Sequence, residues 1–310
     1  MSEWIYVKDC HEFFGEVKHR LVSDAEREVE LVIKPDASLG FELAITALAL
    51  DGSKSMLRTY AAALPKMIRK KQNKVHPIAQ DLAGFLAKNS RNQCAIAYWA
   101  CGDDGSEIEP VGILNSGEIE AFDFAGPQRW GGGTKLTPII QYFWEQVFSS
   151  ADKEGMAVIL TDGAWDDDDN ANLFQLTQVM CEEIAARRRH LMKGVVLGLK
   201  TDDNKGEIER IDARFNALNN FEPENVPNPD GIDLDVWYTA WVDELDDWNG
   251  IFIELVKEWS LGVGGFVEAQ GQKVLQKDEL NFGVQFQIPA ASPAFLLHLE
   301  GLGDYEQNIL

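Results

Sequence analysis

Asp51, Ser53 and Ser55 occupy alternate positions in the run FELAITALALDGSKSM, residues 41–56. Alternate residues on a short loop can turn their oxygens toward one point, and a hard cation takes oxygen ligands. Asp-Gly-Ser is also ordinary turn chemistry, so the reading depends on further oxygens elsewhere. Thr134 follows directly after Gly131, Gly132 and Gly133, and Asp162 follows the apolar run MAVIL (residues 156–160) and Thr161. The three loops together offer two carboxylates and three hydroxyls. That inventory suits Mg²⁺ with retained waters, or Mn²⁺, with Ca²⁺ a further candidate. Hydroxyls are neutral, so the ion keeps much of its charge, and an open position would draw an Asp or Glu from a partner protein.

Each of these residues lies beside an expected strand end or helix start. The near-continuous apolar run over residues 41–51 predicts a strand covered on both faces. Residues 93–100 (QCAIAYWA), 156–160, 194–199 (GVVLGL) and 236–242 (VWYTAWV) predict further strands, and 119–124 (IEAFDF) a more exposed one. Helical spacing runs through 56–70 with a break at Pro65, and through 78–86, 139–147, 170–189, 208–218 and 245–259. Strand and helix alternating over 41–259 predict an α/β fold: a doubly wound, mainly parallel sheet with helices on both faces, Rossmann-like. Ligands then bind at the carboxyl ends of the strands, where the three loops fall. After Gly262 strands are expected at 266–275, 282–288 and 295–299, with 29–33 (VELVI) as a partner from the other chain end. The expected boundaries are 36–260 for the α/β domain and 1–35 with 261–310 for an accessory β-rich region, a composite of both chain ends.

The chain has 310 residues, 45% hydrophobic and 25% charged, enough for one large domain or two unequal ones. Its formal net charge is -23, from 51 acids and 28 bases. Such a surface repels nucleic-acid backbones and anionic membranes, so neither is expected as a partner. No apolar run reaches membrane-spanning length. The opening MSEWIYVKDCHEFF lacks the pattern of a signal peptide. Cys10, Cys94, Cys101 and Cys181 are too scattered for a metal-ligand pattern, and a cytoplasmic location is the expectation. The basic run Lys66, Arg69, Lys70, Lys71 and Lys74 reads as a solvated face.

The order Asp51-Gly-Ser-Lys-Ser55, then Gly-Gly-Gly-Thr134, then Thr-Asp162-Gly resembles a von Willebrand factor A domain with a metal-ion-dependent adhesion site. The resemblance covers roughly residues 41–259. It implies that Asp51, Ser53, Ser55, Thr134 and Asp162 coordinate the metal directly or through water. It also implies a doubly wound fold and a protein partner whose acidic residue completes the metal shell. Lys54 departs from the small residue usual between the two serines. With no signal peptide, the resemblance points to the intracellular members, which act as scaffolds or adaptors.

Other functions compete. Clustered acids with Mg²⁺ could support hydrolysis or phosphoryl transfer. An aspartyl-nucleophile phosphatase would want an acid where Ser53 stands, and GSKS lacks the spacing of a phosphate loop. A serine nucleophile needs a base, and His11, His19, His76, His190 and His298 all lie outside the three loops. A metal-independent structural scaffold is the remaining alternative. The Asp166–Asp169 acids read either as a solvated loop or as a hold for a second cation, and Trp130 and Trp165 as rim contacts or packed residues.

Overall fold

In the computed structural model the described residues are 3–34, 45–151, 153–163, 165–202, 204–228, 234–245, 248, 256–257, 259 and 261–310. The chain opens on β1 (Ile5–Tyr6), β2 (Phe14–Leu21) and β3 (Glu26–Ile33). Next come β4 (Thr46–Asp51), α1 (Lys66–Gln72), α2 (Val75–Lys88), β5 (Cys94–Cys101), β6 (Glu107–Leu114), α3 (Ser116–Ala121) and α4 (Thr137–Tyr142). These are followed by β7 (Gly155–Thr161), α5 (Asn170–Ala185), β8 (Met192–Gly198), α6 (Ile208–Asn219) and β9 (Trp237–Trp241). The chain ends on β10 (Gly265–Ala269), β11 (Gln272–Lys277), β12 (Gly283–Pro289), β13 (Ala294–Leu299) and β14 (Gly303–Asn308). Two units result: Met1–Phe41 with Asp247–Leu310, and Glu42–Asp246.

The first unit holds two four-stranded sheets, β1-β2-β3-β12 and β11-β10-β13-β14, and every pairing within them is antiparallel. β10, β12 and β13 alternate as half-buried strands must. In β12, Val284, Phe286 and Ile288 are buried while Gln285 and Gln287 are exposed. The inward rings join the sheets: Phe295 of β13 lies 6.1 Å from Phe14 of β2 and 5.1 Å from Phe286 of β12. The result is a sandwich of two sheets over one apolar layer.

The second unit holds a six-stranded sheet in the order β6-β5-β4-β7-β8-β9. β4 pairs in parallel with β5 and β7, and β8 in parallel with β7 and β9, while β6 runs antiparallel to β5. β4, β5, β7 and β8 are buried along their whole length. The register Leu50↔Leu160 sets Asp51 beside Thr161 where β4 and β7 end together.

The expected fold class, a doubly wound, mainly parallel α/β chain with a small β region, is corrected by this architecture. Fourteen strands in three sheets make the described chain β-rich, and eight of them lie in wholly antiparallel sheets. Polar, largely exposed strands such as β11 and β14 carry little apolar signal, so their share of the chain is easily underestimated. The strand expected at 119–124 is also corrected. Residues Ser116–Ala121 are helical because Asn115 accepts from Gly117 N–H and Glu118 N–H while Glu118 reaches back to the Asn115 N–H. The exposed strand of this region is instead β6, an edge strand holding Pro110 and Gly112 and pairing with register breaks. The helix expected over 56–70 is shortened to α1. Lys54–Leu57 forms a 3-10 turn, Ala61 has φ 51°, and Pro65 precedes α1. Residues 41–44 and most of the helix expected at 245–259 lie outside the described residues.

Candidate functional site

β4 carries Asp51 to the end of the sheet and leaves it fully buried, at 0% exposure. Both oxygens of its carboxylate accept hydrogen bonds: Oδ1 from the Ser53 N–H at 2.8 Å, and Oδ2 from the Thr161 hydroxyl at 2.6 Å. Thr161 Oγ1 in turn accepts the Gly163 N–H at 3.0 Å. The first contact folds the DGS turn back on its own acid. The second ties the end of β4 to the end of β7, as their register requires.

The turn then aims two hydroxyls together, with Ser53 Oγ and Ser55 Oγ 2.8 Å apart. Ser53 is buried and Ser55 exposed, so the cluster reaches from the interior to solvent. Asp162, next after β7, is buried. Its backbone carbonyl accepts from the Asn204 side chain at 2.8 Å. Burial is the first cause that pushes the Asp51 carboxyl above its ordinary value, and the negative charge of Asp162 is the second. The Thr161 and Ser53 bonds act in the opposite direction and do not outweigh them.

The glycine run docks against the same turn. Lys54 N–H donates to Gly131 O at 3.0 Å, and Gly131 N–H donates to Gly52 O at 2.9 Å. A Cβ on Gly131 would stand 1.8 Å from the Ala100 carbonyl oxygen, and one on Gly132 would stand 2.3 Å from that of Asp103. The glycines therefore admit the close approach of the loop after β5, a constraint set by the chain's own backbone. Thr134 is buried at the end of this run. Its N–H donates to Asp166 Oδ2 at 3.2 Å, and the Asp166 N–H donates to Thr134 O at 2.8 Å.

The structure thus joins Asp51, Ser53 and Ser55 directly, couples Asp162 to Asp51 by charge, and brings Thr134 in on a loop bonded to the serine turn. The acidic loop is mostly structural. Asp167 pairs with Arg210 and Arg214, and Asp169 accepts the Thr137 N–H at 2.8 Å. Trp165 is buried, stacks on Phe215 and donates to Asn170 Oδ1, so of its two readings the packed one holds. Trp130 is half-buried against Tyr60. Sequence reasoning missed Thr161, whose hydroxyl bonds Asp51. Its signal was the strand register, which needs the structure.

The donor set is two carboxylates plus hydroxyls. Among the described residues, no three or more His, Cys, Asp or Glu side chains group where they could hold a metal. The expectation of a metal-ion-dependent adhesion site by that designation is corrected accordingly. The chemistry of the cluster itself suits a hard cation: all donors are oxygen, and two buried acids repel each other.

No family model and no curated protein matches the chain. Among solved structures it is similar to the pilus adhesin SpaC from Lactobacillus rhamnosus GG in its open conformation. The identity is 14% and the TM-score 0.42, over 97% of this chain and 48% of that one, so the chain spans about half the adhesin's length. A mutant of the PilB minor pilin from Streptococcus sanguinis is similar at 9% identity and TM-score 0.42, over 82% of this chain and 77% of that one. The N-terminal domains of the type V pili tip protein Mfa5 from Porphyromonas gingivalis are similar at 9% identity and TM-score 0.35, over 99% and 76%. The sequence motifs resemble the von Willebrand factor A family instead. That resemblance, and the adhesion-site designation that came with it, are corrected: the likeness found is to pilus adhesin and minor pilin structures.

Proposed function

We propose that Asp51, Ser53, Ser55, Thr134 and Asp162 hold a divalent cation, Mg²⁺ first and Mn²⁺ or Ca²⁺ as substitutes. An acidic group of a protein partner would complete the ion's shell, making the chain a metal-dependent protein-binding module. The observation that carries this reading is the pair of buried acids at the ends of adjacent strands, with the Ser53 and Ser55 hydroxyls beside one of them. A bound cation would supply positive charge where Asp51 and Asp162 now oppose each other. Neutral hydroxyls would leave much of that charge to attract a carboxylate. Ser55 is exposed, which gives a partner access from solvent. The serines serve here as neutral ligands, each having the other hydroxyl as its near partner.

Calorimetric titration of Mg²⁺ into the wild type and Asp51→Ala tests the site. Saturable binding is expected in the first, with at least about a tenfold weaker constant in the second. Equal binding by both proteins sinks the assignment. For the partner, capture with and without chelator is compared between wild type and Thr134→Ala. Capture that ignores both changes favours a metal-independent scaffold.

A further inference from the structure

The segment after the serine turn leads into a second site. Residues 58–64 turn without forming a helix, with Ala61 in the left-handed region at φ 51° and Pro65 starting the next element. This irregular stretch and the end of α1 border a cavity of about 640 Å³. Leu57, Ala61, Ala63 and Leu64 give it an apolar wall, and Arg58, Lys71 and Lys74 line it with positive charge. Its volume falls within the roughly 300–1,000 Å³ of sites that enclose a small organic molecule.

The charge is out of character for the chain. Acids outnumber bases 51 to 28, yet the described lining residues include three cations and no acid. Asp202 is within electrostatic reach of Lys74 and Arg58, but its carboxylate is bonded to Lys205 at 2.6 Å. A solvated basic face accounts for exposed lysines. It does not account for an apolar hollow between them.

We propose that this cavity binds one amphipathic organic anion, an aliphatic or aryl body carrying a single carboxylate. The body lies against Leu57, Ala61, Ala63 and Leu64, where leaving water is favourable. The carboxylate stays at the rim with Lys71 and Lys74, both exposed, so neither charge is buried without a partner. The charge of -23 disfavours an anionic bilayer as the source and leaves a single dissolved molecule. The cavity's described lining shares no residue with the proposed cation cluster.

Decanoate is the probe, titrated calorimetrically into the full chain below its micelle concentration, with decanol as the uncharged control. Saturable binding of one decanoate is expected, weakened at least about tenfold in the double variant Lys71→Glu, Lys74→Glu. Lys71→Arg with Lys74→Arg should retain it. Ala63→Trp, at an exposed position, should abolish it by filling the hollow, and Leu64→Asp is the second variant should the tryptophan disturb folding. Absence of saturation, decanol bound as tightly as decanoate, or binding untouched by both Ala63→Trp and Leu64→Asp overturns the proposal.

Discussion

At the scale of single residues, Asp51 decides how the site behaves. Its carboxyl is raised by burial and then by Asp162. In the unfolded chain it titrates near about 3.9. A carboxyl raised on folding favours the folded state fully below the unfolded value, and that contribution is lost as pH rises through the folded one. With divalent ions removed, melting temperature should therefore fall between about pH 5 and about pH 8, and Asp51→Asn should flatten that slope. Added Mg²⁺ competes with the proton, so its stabilisation should be larger at the higher pH. Scanning calorimetry at the two pH values, with chelator and with Mg²⁺, reads both effects. A Mg²⁺ shift that is the same at both values would count against Asp51 as a ligand. Asp51, Ser53 and Ser55 were legible as a unit because their spacing is local, and the close Ser53–Ser55 hydroxyl pair follows from it. Thr161 was not legible, because its role depends on which strand lies beside β4.

At the scale of elements, the three glycines show how a loop can be read correctly as special and wrongly as to why. Triglycine announces close approach, and the sequence cannot say to what. The neighbour is the backbone of residues 100–104, which a Cβ on Gly131 or Gly132 would strike. Gly131→Ala should thus push the run off the serine turn, breaking the pairing of Ser53 with Gly131. A loss of about 2–3 kcal/mol in urea unfolding is expected. Mg²⁺ affinity should fall with it, although no proposed ligand is changed. Retained stability and affinity would show that the loop can relax without cost. The misread strand at 119–124 has a related origin. Its apolar residues alternate well enough for a strand, but the Asn115–Glu118 capping box fixes a helix start just before them. The neighbouring β6 escaped notice because Pro110 and Gly112 are breakers anywhere except at an edge or bulge.

At the scale of the whole molecule, the first unit is assembled from both chain ends. β3 is paired on one side with β2 and on the other with β12, more than two hundred residues later. Continuous apolar runs made the buried strands of the second unit legible. The polar strand β14 was not, and β11 was merged with β10 into one expected strand over 266–275, because only an antiparallel neighbour gives such segments a place in a sheet. Leu31, fully buried, sits opposite Val17 on one side and Val284 on the other. Leu31→Ala should remove about 2–5 kcal/mol by leaving a cavity between strands the chain brings together from its two ends. The residues of the proposed cation cluster lie wholly within Glu42–Asp246. Multi-unit chains need not unfold in one step. Two calorimetric transitions are therefore expected, with Leu31→Ala lowering one and Mg²⁺ raising the other. A single transition moved by both the substitution and the ion would mean that the units unfold together, and the cluster's stability would then depend on strands that contribute none of its oxygens.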